Sequence, residues 1–144
     1  MSNVYTEPNR EWREILTELA RGLSQADIVR PAGGAGWTVG GLFGHLAFWD
    51  RKAFVLLERW KKDGISESPM DVDVVNDTMK PFLNALSVRE VVRLCEESAA
   101  AIDAAIDGLD PAFLAKVETE GKPVKLNRGT HRRHHIEQIR KALE

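Results

Sequence analysis

Apolar side chains recur along most of this chain at the three-to-four-residue spacing of helices that lie against a core. The first such stretch sets Trp12, Ile15, Leu16, Leu19 and Leu23 on one face and Glu11, Arg13, Glu14, Glu18 and Arg21 on the other. It predicts an amphipathic helix that ends towards "RPAGGAG", where Pro31 and three glycines demand a loop. A second stripe runs Val39, Leu42, Leu46, Trp49, Ala53, Leu56 and Trp60. Thr38 suits its N-cap, and "KKDG" supplies lysines for its last turn and Gly64 for the residue beyond it. Gly40, Gly41 and Gly44 in its first turns each cost roughly 1 kcal/mol relative to alanine. That cost points to a close approach there, by a ligand, by backbone or by a tightly packed helix.

Between Ile65 and Leu86 the pattern is weak: "DVDVVNDTMKPFLNAL" fits a short helix that Pro81 bends or interrupts. The third strong helix opens on a capping box, Ser87 with Glu90, and carries Val88, Val91, Val92, Cys95, Ala99, Ile102, Ile106 and Leu109. Asp110 and Pro111 read as the cap and first position of a short extra turn. A polar stretch then leads to a fourth helix capped by Thr130 or Asn127. No segment alternates as a strand does. The expected fold is all-α: one domain over residues 1–144, a four-helix bundle with a long connection between helices two and three. Phe43, Phe48, Phe54 and Val55 are expected at the surface of the second helix, where they would support a homodimer.

Composition narrows the function classes. Twenty Lys and Arg against twenty-two Asp and Glu leave a net charge of −2, which offers nucleic acid little. Arg128, Arg132, Arg133, Arg140 and Lys141 do cluster, but without the aromatics that stack on bases. A lone cysteine, Cys95, excludes an intrachain disulfide, and it falls on an apolar stripe where thiols are inert. No apolar run approaches the roughly 18 residues of a membrane span, and "MSNVYTEPNREW" lacks a signal peptide's apolar region. A cytoplasmic protein is expected.

Three of the four histidines stand in "THRRHHIEQIRKAL". His131 and His135 are four apart on the fourth helix, so their Cβ atoms lie about 5–6 Å apart on one face. Turned inward they would need polar partners, which a shared cation supplies; turned outward they join a solvated basic face. His134 is rotated away from that pair. The fourth histidine, His45, stands in "GGLFGHLAFWD" among Leu42, Phe43, Leu46 and Phe48, at the edge of a buried stripe. By itself such a residue is more often a satisfied core histidine than a ligand.

"GWTVGGLFGHLAFWDRKA" and "THRRHHIEQIR" together resemble the DinB-like superfamily, in which a Trp-Thr/Ser turn opens helix two, a histidine follows, and an HxxxH helix closes the fold. The group includes damage-inducible DinB-type proteins, bacillithiol transferases and mycothiol-dependent maleylpyruvate isomerases. The resemblance follows the order of elements over nearly the whole chain. It implies a four-helix bundle holding a divalent ion, zinc or nickel above others, on His45, His131 and His135. It departs from the family at "RRHH", where tyrosine or acidic residues are commoner, and His134 leaves the pairing open by one residue; the i,i+4 spacing favours 131 with 135.

Three protein ligands leave a coordination position open, the mark of a catalytic ion. The resemblance then implies a thiol-dependent transferase or isomerase with a low-molecular-weight thiol as cosubstrate. No catalytic residue is assigned. Trp49, Asn76, His134 and Gln138 are candidates to support the ligands or line a pocket, and Asp50 and Glu137 stand near ligands in sequence. The competing reading is a bundle that binds metal, or sequesters a small molecule beside Trp37 and Trp49, without turnover.

Overall fold

The computed structural model describes residues 2–144. Among them seven helices account for most of the chain: α1 (Thr6–Arg21), α2 (Gln25–Ile28), α3 (Val39–Asp63), α4 (Val72–Leu83), α5 (Val88–Asp107), α6 (Pro111–Glu120) and α7 (Arg128–Ala142). The four stripes read from sequence are α1, α3, α5 and α7. Their caps hold as chemistry requires. Thr38 accepts from the Gly41 amide at 2.9 Å, and Ser87 and Glu90 form a reciprocal box. At α7 the cap is Asn127, which accepts from the amide of Thr130; Thr130 itself is inside the helix.

Three elements differ from expectation. The glycine loop is a small hairpin: β1 (Pro31–Ala32) pairs antiparallel with β2 (Trp37–Thr38), Pro31 opposite Thr38 and Ala32 opposite Trp37. Gly33, Gly34 and Gly36 make the reversal at φ of 75°, 74° and 84°, which side chains disfavour. The acidic stretch forms α4, capped by Asp71 and continuous through Pro81. The extra turn after Asp110 is a ten-residue helix, α6.

The long helices pack in a consistent scheme, α3 on α5 and α7, α1 on α5 and α7. Two apolar clusters result. One gathers Leu16, Val39, Leu42, Phe43, Leu46, Val91, Cys95, Ile136 and Ile139, and the other Ala53, Leu57, Trp60, Ile102, Ile106, Leu109 and Val117. Along α3 the first cluster ends at Ala47 and the second starts at Ala53, and Asp50 stands between them. Phe43 is wholly buried in the first cluster, so it leaves the expected dimer face; Phe48 and Phe54 are half-buried, and Val55 is exposed. The glycines of α3 serve packing. A Cβ on Gly40 would press on Ile28, one on Gly41 on Asn84, and one on Gly44 on Leu83 and Leu86.

A layer of ion pairs lies where the apolar clusters part. Arg132, with no exposed surface, donates from Nη2 to Asp50 at 3.1 Å and to Asp103 at 2.9 Å, and from Nη1 to Asp103 and the Asn9 carbonyl, both at 2.9 Å. Arg128 donates to the other Asp50 oxygen at 2.9 Å, and Arg13 reaches Asp103. Asn9, also buried, accepts from the Arg128 and Gly129 amides at 2.7 and 3.1 Å and donates to the Leu126 carbonyl. These bonds set the rotation and register of α7. Its buried face is therefore Arg128, Arg132, Ile136 and Ile139, and His131 and His135 flank it. Two members of the basic cluster are interior residues rather than a surface patch. No helix among the described residues is long and apolar enough to cross a membrane.

Candidate metal centre

His45 projects from the second turn of α3, in a stretch where every residue from Val39 to Ala47 is buried. With that face packed, its imidazole is only 7 % exposed. The register of α7 brings His131 and His135 to the same point. His45 Nε2 and His131 Nε2 are 3.2 Å apart, and one nitrogen from each of the three rings falls within 4.8 Å of the others. Ring centroids are separated by 5.2 Å (His45–His131), 4.6 Å (His45–His135) and 4.9 Å (His131–His135).

Tetrahedral bonds of 2.0–2.1 Å place neighbouring ligand nitrogens about 3.3 Å apart. The Nε2 pair already stands near that spacing. Two such atoms facing each other must share a proton or a cation. His45 Nδ1, moreover, is buried without any partner. Neutral imidazoles are the form that binds metal, and burial enforces it. Desolvation, then the neighbouring His135 and His134, pushes His45 down to about 4. Desolvation, then His135 and His45, pushes His131 down to about 2. Desolvation also lowers His135, against the hydrogen bond it donates to the Gln138 oxygen. The donor set fits a divalent ion.

The same shifts give a prediction for the metal-free protein. Unfolding restores the ordinary histidine value of 6.5. Below it the unfolded chain takes up protons that the folded chain refuses, so stability falls with pH. The urea midpoint of chelator-stripped protein is expected to drop between pH 7 and pH 4.5. A shallower fall for His45→Gln over the same window, and a shallower one still for His131→Gln, would assign the effect to this cluster.

The remaining sequence candidates fall into place unevenly. Gln138 meets His135 Nδ1 at 2.7 Å. Trp49 lies edge-on to His45 at 6.4 Å and donates from Nε1 to Asn76 Oδ1 at 2.9 Å, which ties α4 to this region. Trp37, from the hairpin, is nearer still at 5.1 Å. His134 is exposed, 4.8 Å from the His135 ring and outside the trio. Glu137 pairs with Arg133 at the surface. Asp50 belongs to the buried ion layer. Cys95 is fully buried, donates to the Phe43 carbonyl at 3.2 Å, and burial pushes its thiol up, so it is a core residue.

A cavity of about 500 Å³ opens beside the histidines. His45, His131 and His134 share its wall with Trp49, Asn76 and the apolar Leu56 and Val72. Lys52, Lys125 and Arg128 also line it, and no carboxylate does. Sequence reasoning missed Arg128 here and the ion layer behind it. The available signal was Arg128 and Arg132 at the same four-residue spacing as the histidines.

A mostly helical protein that gathers three imidazoles, two of them on the wall of an open cavity, defines a class, that of helical proteins with a histidine site able to hold an ion. Residues 9–136 match the family model of the mycothiol maleylpyruvate isomerase N-terminal domain, and the chain belongs to that family, within the DinB-like superfamily. No curated protein and no solved structure matches the chain.

Proposed function

We propose that this chain is a metal-dependent enzyme of thiol chemistry, a transferase or isomerase that takes a low-molecular-weight thiol and an electrophile into the cavity beside His45, His131 and His135. In this reading α1, α3, α5 and α7 form a four-helix bundle, the three histidines hold zinc or nickel, and the protein works in the cytoplasm as a homodimer through α3. The observation that carries it is the convergence of three imidazoles from two helices, two of them, His45 and His131, on the wall of an open cavity. Membership of a family whose name joins mycothiol to maleylpyruvate isomerisation supports the choice of thiol chemistry.

A divalent ion held there supplies positive charge that favours the thiolate form of a bound thiol and polarises an oxygen nearby. The rest falls to the chain. Trp49, fixed by Asn76, and the apolar Leu56 and Val72 exclude water and orient the electrophile. Lys52, Lys125 and Arg128, with no carboxylate among them, favour an anionic electrophile or thiol. His134, on the cavity wall but outside the trio, is placed to move a proton. In transfer, sulfur bonds to the electrophilic carbon and the thiol proton leaves with the displaced group. In isomerisation, sulfur adds to a double bond, the carbon–carbon bond rotates, and sulfur departs.

The test is thiol consumption with a panel of electrophiles, with zinc- or nickel-loaded protein against His45→Ala. Turnover in the parent and none in the variant supports the reading. Tight binding of thiol or electrophile with no turnover under any metal favours the sequestering protein instead.

A further inference from the structure

We propose that Gln138 is a positioning residue that holds His135 as its Nδ1–H tautomer, and that the glycine hairpin between β1 and β2 holds Gln138 in that role. The metal arm of the proposal rests on the three-histidine reading; the tautomer arm does not.

A neutral imidazole has one lone pair, and its other nitrogen carries the proton. Which is which depends on the partner of the protonated nitrogen. The Gln138 side-chain oxygen lies 2.7 Å from His135 Nδ1, one helical turn away on α7. As acceptor it draws the proton to Nδ1 and leaves the Nε2 lone pair for the trio. His45 has no such help, since its Nδ1 is buried without a partner.

An amide can serve this way only while its oxygen stays aimed at the ring. The hairpin supplies that constraint. A Cβ on Gly33 would lie 3.3 Å from both Cδ and Nε2 of Gln138 and 3.4 Å from its Oε1, so the bare backbone packs against the whole amide. Gly33 adopts a φ of 75°, which brings the turn down onto α7. The hairpin in turn is pinned to the end of α4. Asn84 accepts from the Thr38 amide at 3.1 Å and donates to the Gly36 carbonyl at 3.0 Å. The same hairpin carries Trp37 to 5.1 Å from His45. One short turn thus bears on two of the three imidazoles. This accounts for "GGAG" beside a helix that carries its own packing glycines.

Glutamine orients without adding charge. A carboxylate in its place would orient the ring and also make it a stronger donor, whereas an apolar isostere would do neither. Gln138→Leu should therefore weaken metal binding, and Gln138→Glu should not. The experiment uses the full chain in two states. Long-range ¹H–¹⁵N spectra of metal-free protein at pH 8 read the tautomer, and competition with a zinc chelator reads affinity. Expected are an Nδ1–H signature for His135 in the parent, its loss in Gln138→Leu, and zinc binding about 10–100-fold weaker in Gln138→Leu but equal or tighter in Gln138→Glu. An Nε2–H signature in the parent, or equal weakening in both variants, would overturn the proposal. If the parent binds neither zinc nor nickel, the three-histidine reading fails, and the tautomer spectra still decide the role of Gln138.

Discussion

Protein loaded with zinc or nickel and freed of excess is expected to carry about one ion per chain, and His131→Ala is expected to lose it. Partners that merely orient a ligand are worth about 10–100-fold in affinity. Removal of a ligand itself should exceed that, so a loss of more than about 100-fold is expected for His45→Ala, His131→Ala and His135→Ala alike. The equality of the three matters, because His45 comes from α3 and the others from α7. Only a shared ion makes residues eighty-six positions apart behave as one site. His134→Ala is the control: exposed and outside the trio, it should keep its metal. Elemental analysis with chelator competition gives both numbers. Loss of metal in His134→Ala with retention in His131→Ala would move the pair by one residue and break the geometric assignment. The metal-free variants should still fold, since His131 and His135 flank the buried face of α7 rather than make it.

That last point separates what was legible in the sequence from what was not. Spacing alone put His131 and His135 on one face, and resemblance joined them to His45; the convergence of the three follows both. The long helices were equally plain, because Leu42, Leu46, Ile102 and Ile106 obey a helical period that solvent exclusion enforces. α7 was misread in one respect. Four-residue spacing offered His131 and His135 as a possible inward face, yet Arg128 and Arg132 occupy that face with Ile136 and Ile139. Periodicity rules weigh arginine as polar and place it outside, and they do not see Asp50 and Asp103 on α3 and α5 until the helices are assembled. The hairpin escaped for a different reason. Two-residue strands leave no alternation to detect, and only the glycines hinted at the turn.

Arg132, which the sequence shows only as one of a basic cluster, should thus be among the residues most sensitive to substitution. Arg132 bonds to Asp50, Asp103 and the Asn9 carbonyl, and none of its surface is exposed. Removing one member of such a group strands the others' charge in the interior, which costs about 3–5 kcal/mol. Domains of ordinary size are stable by about 5–15 kcal/mol, so Arg132→Ala should consume a large part of the total. Urea unfolding of metal-free protein is expected to show that loss, whereas Arg133→Ala, which breaks only a surface pair four residues apart, should change stability by about 0.5 kcal/mol or less. A double variant distinguishes charge from shape. Arg132→Met leaves Asp50 with Arg128 alone and Asp103 with only the half-buried Arg13, and adding Asp103→Asn removes one of these under-paired charges and should recover part of the loss. If the double variant were no more stable than Arg132→Met, packing rather than pairing would account for the arginine. The same layer anchors the turns of α7 that carry His131, so Arg132→Met should weaken metal binding even where it folds. In this protein the ion pairs that hold the helices in register also decide where the histidines meet.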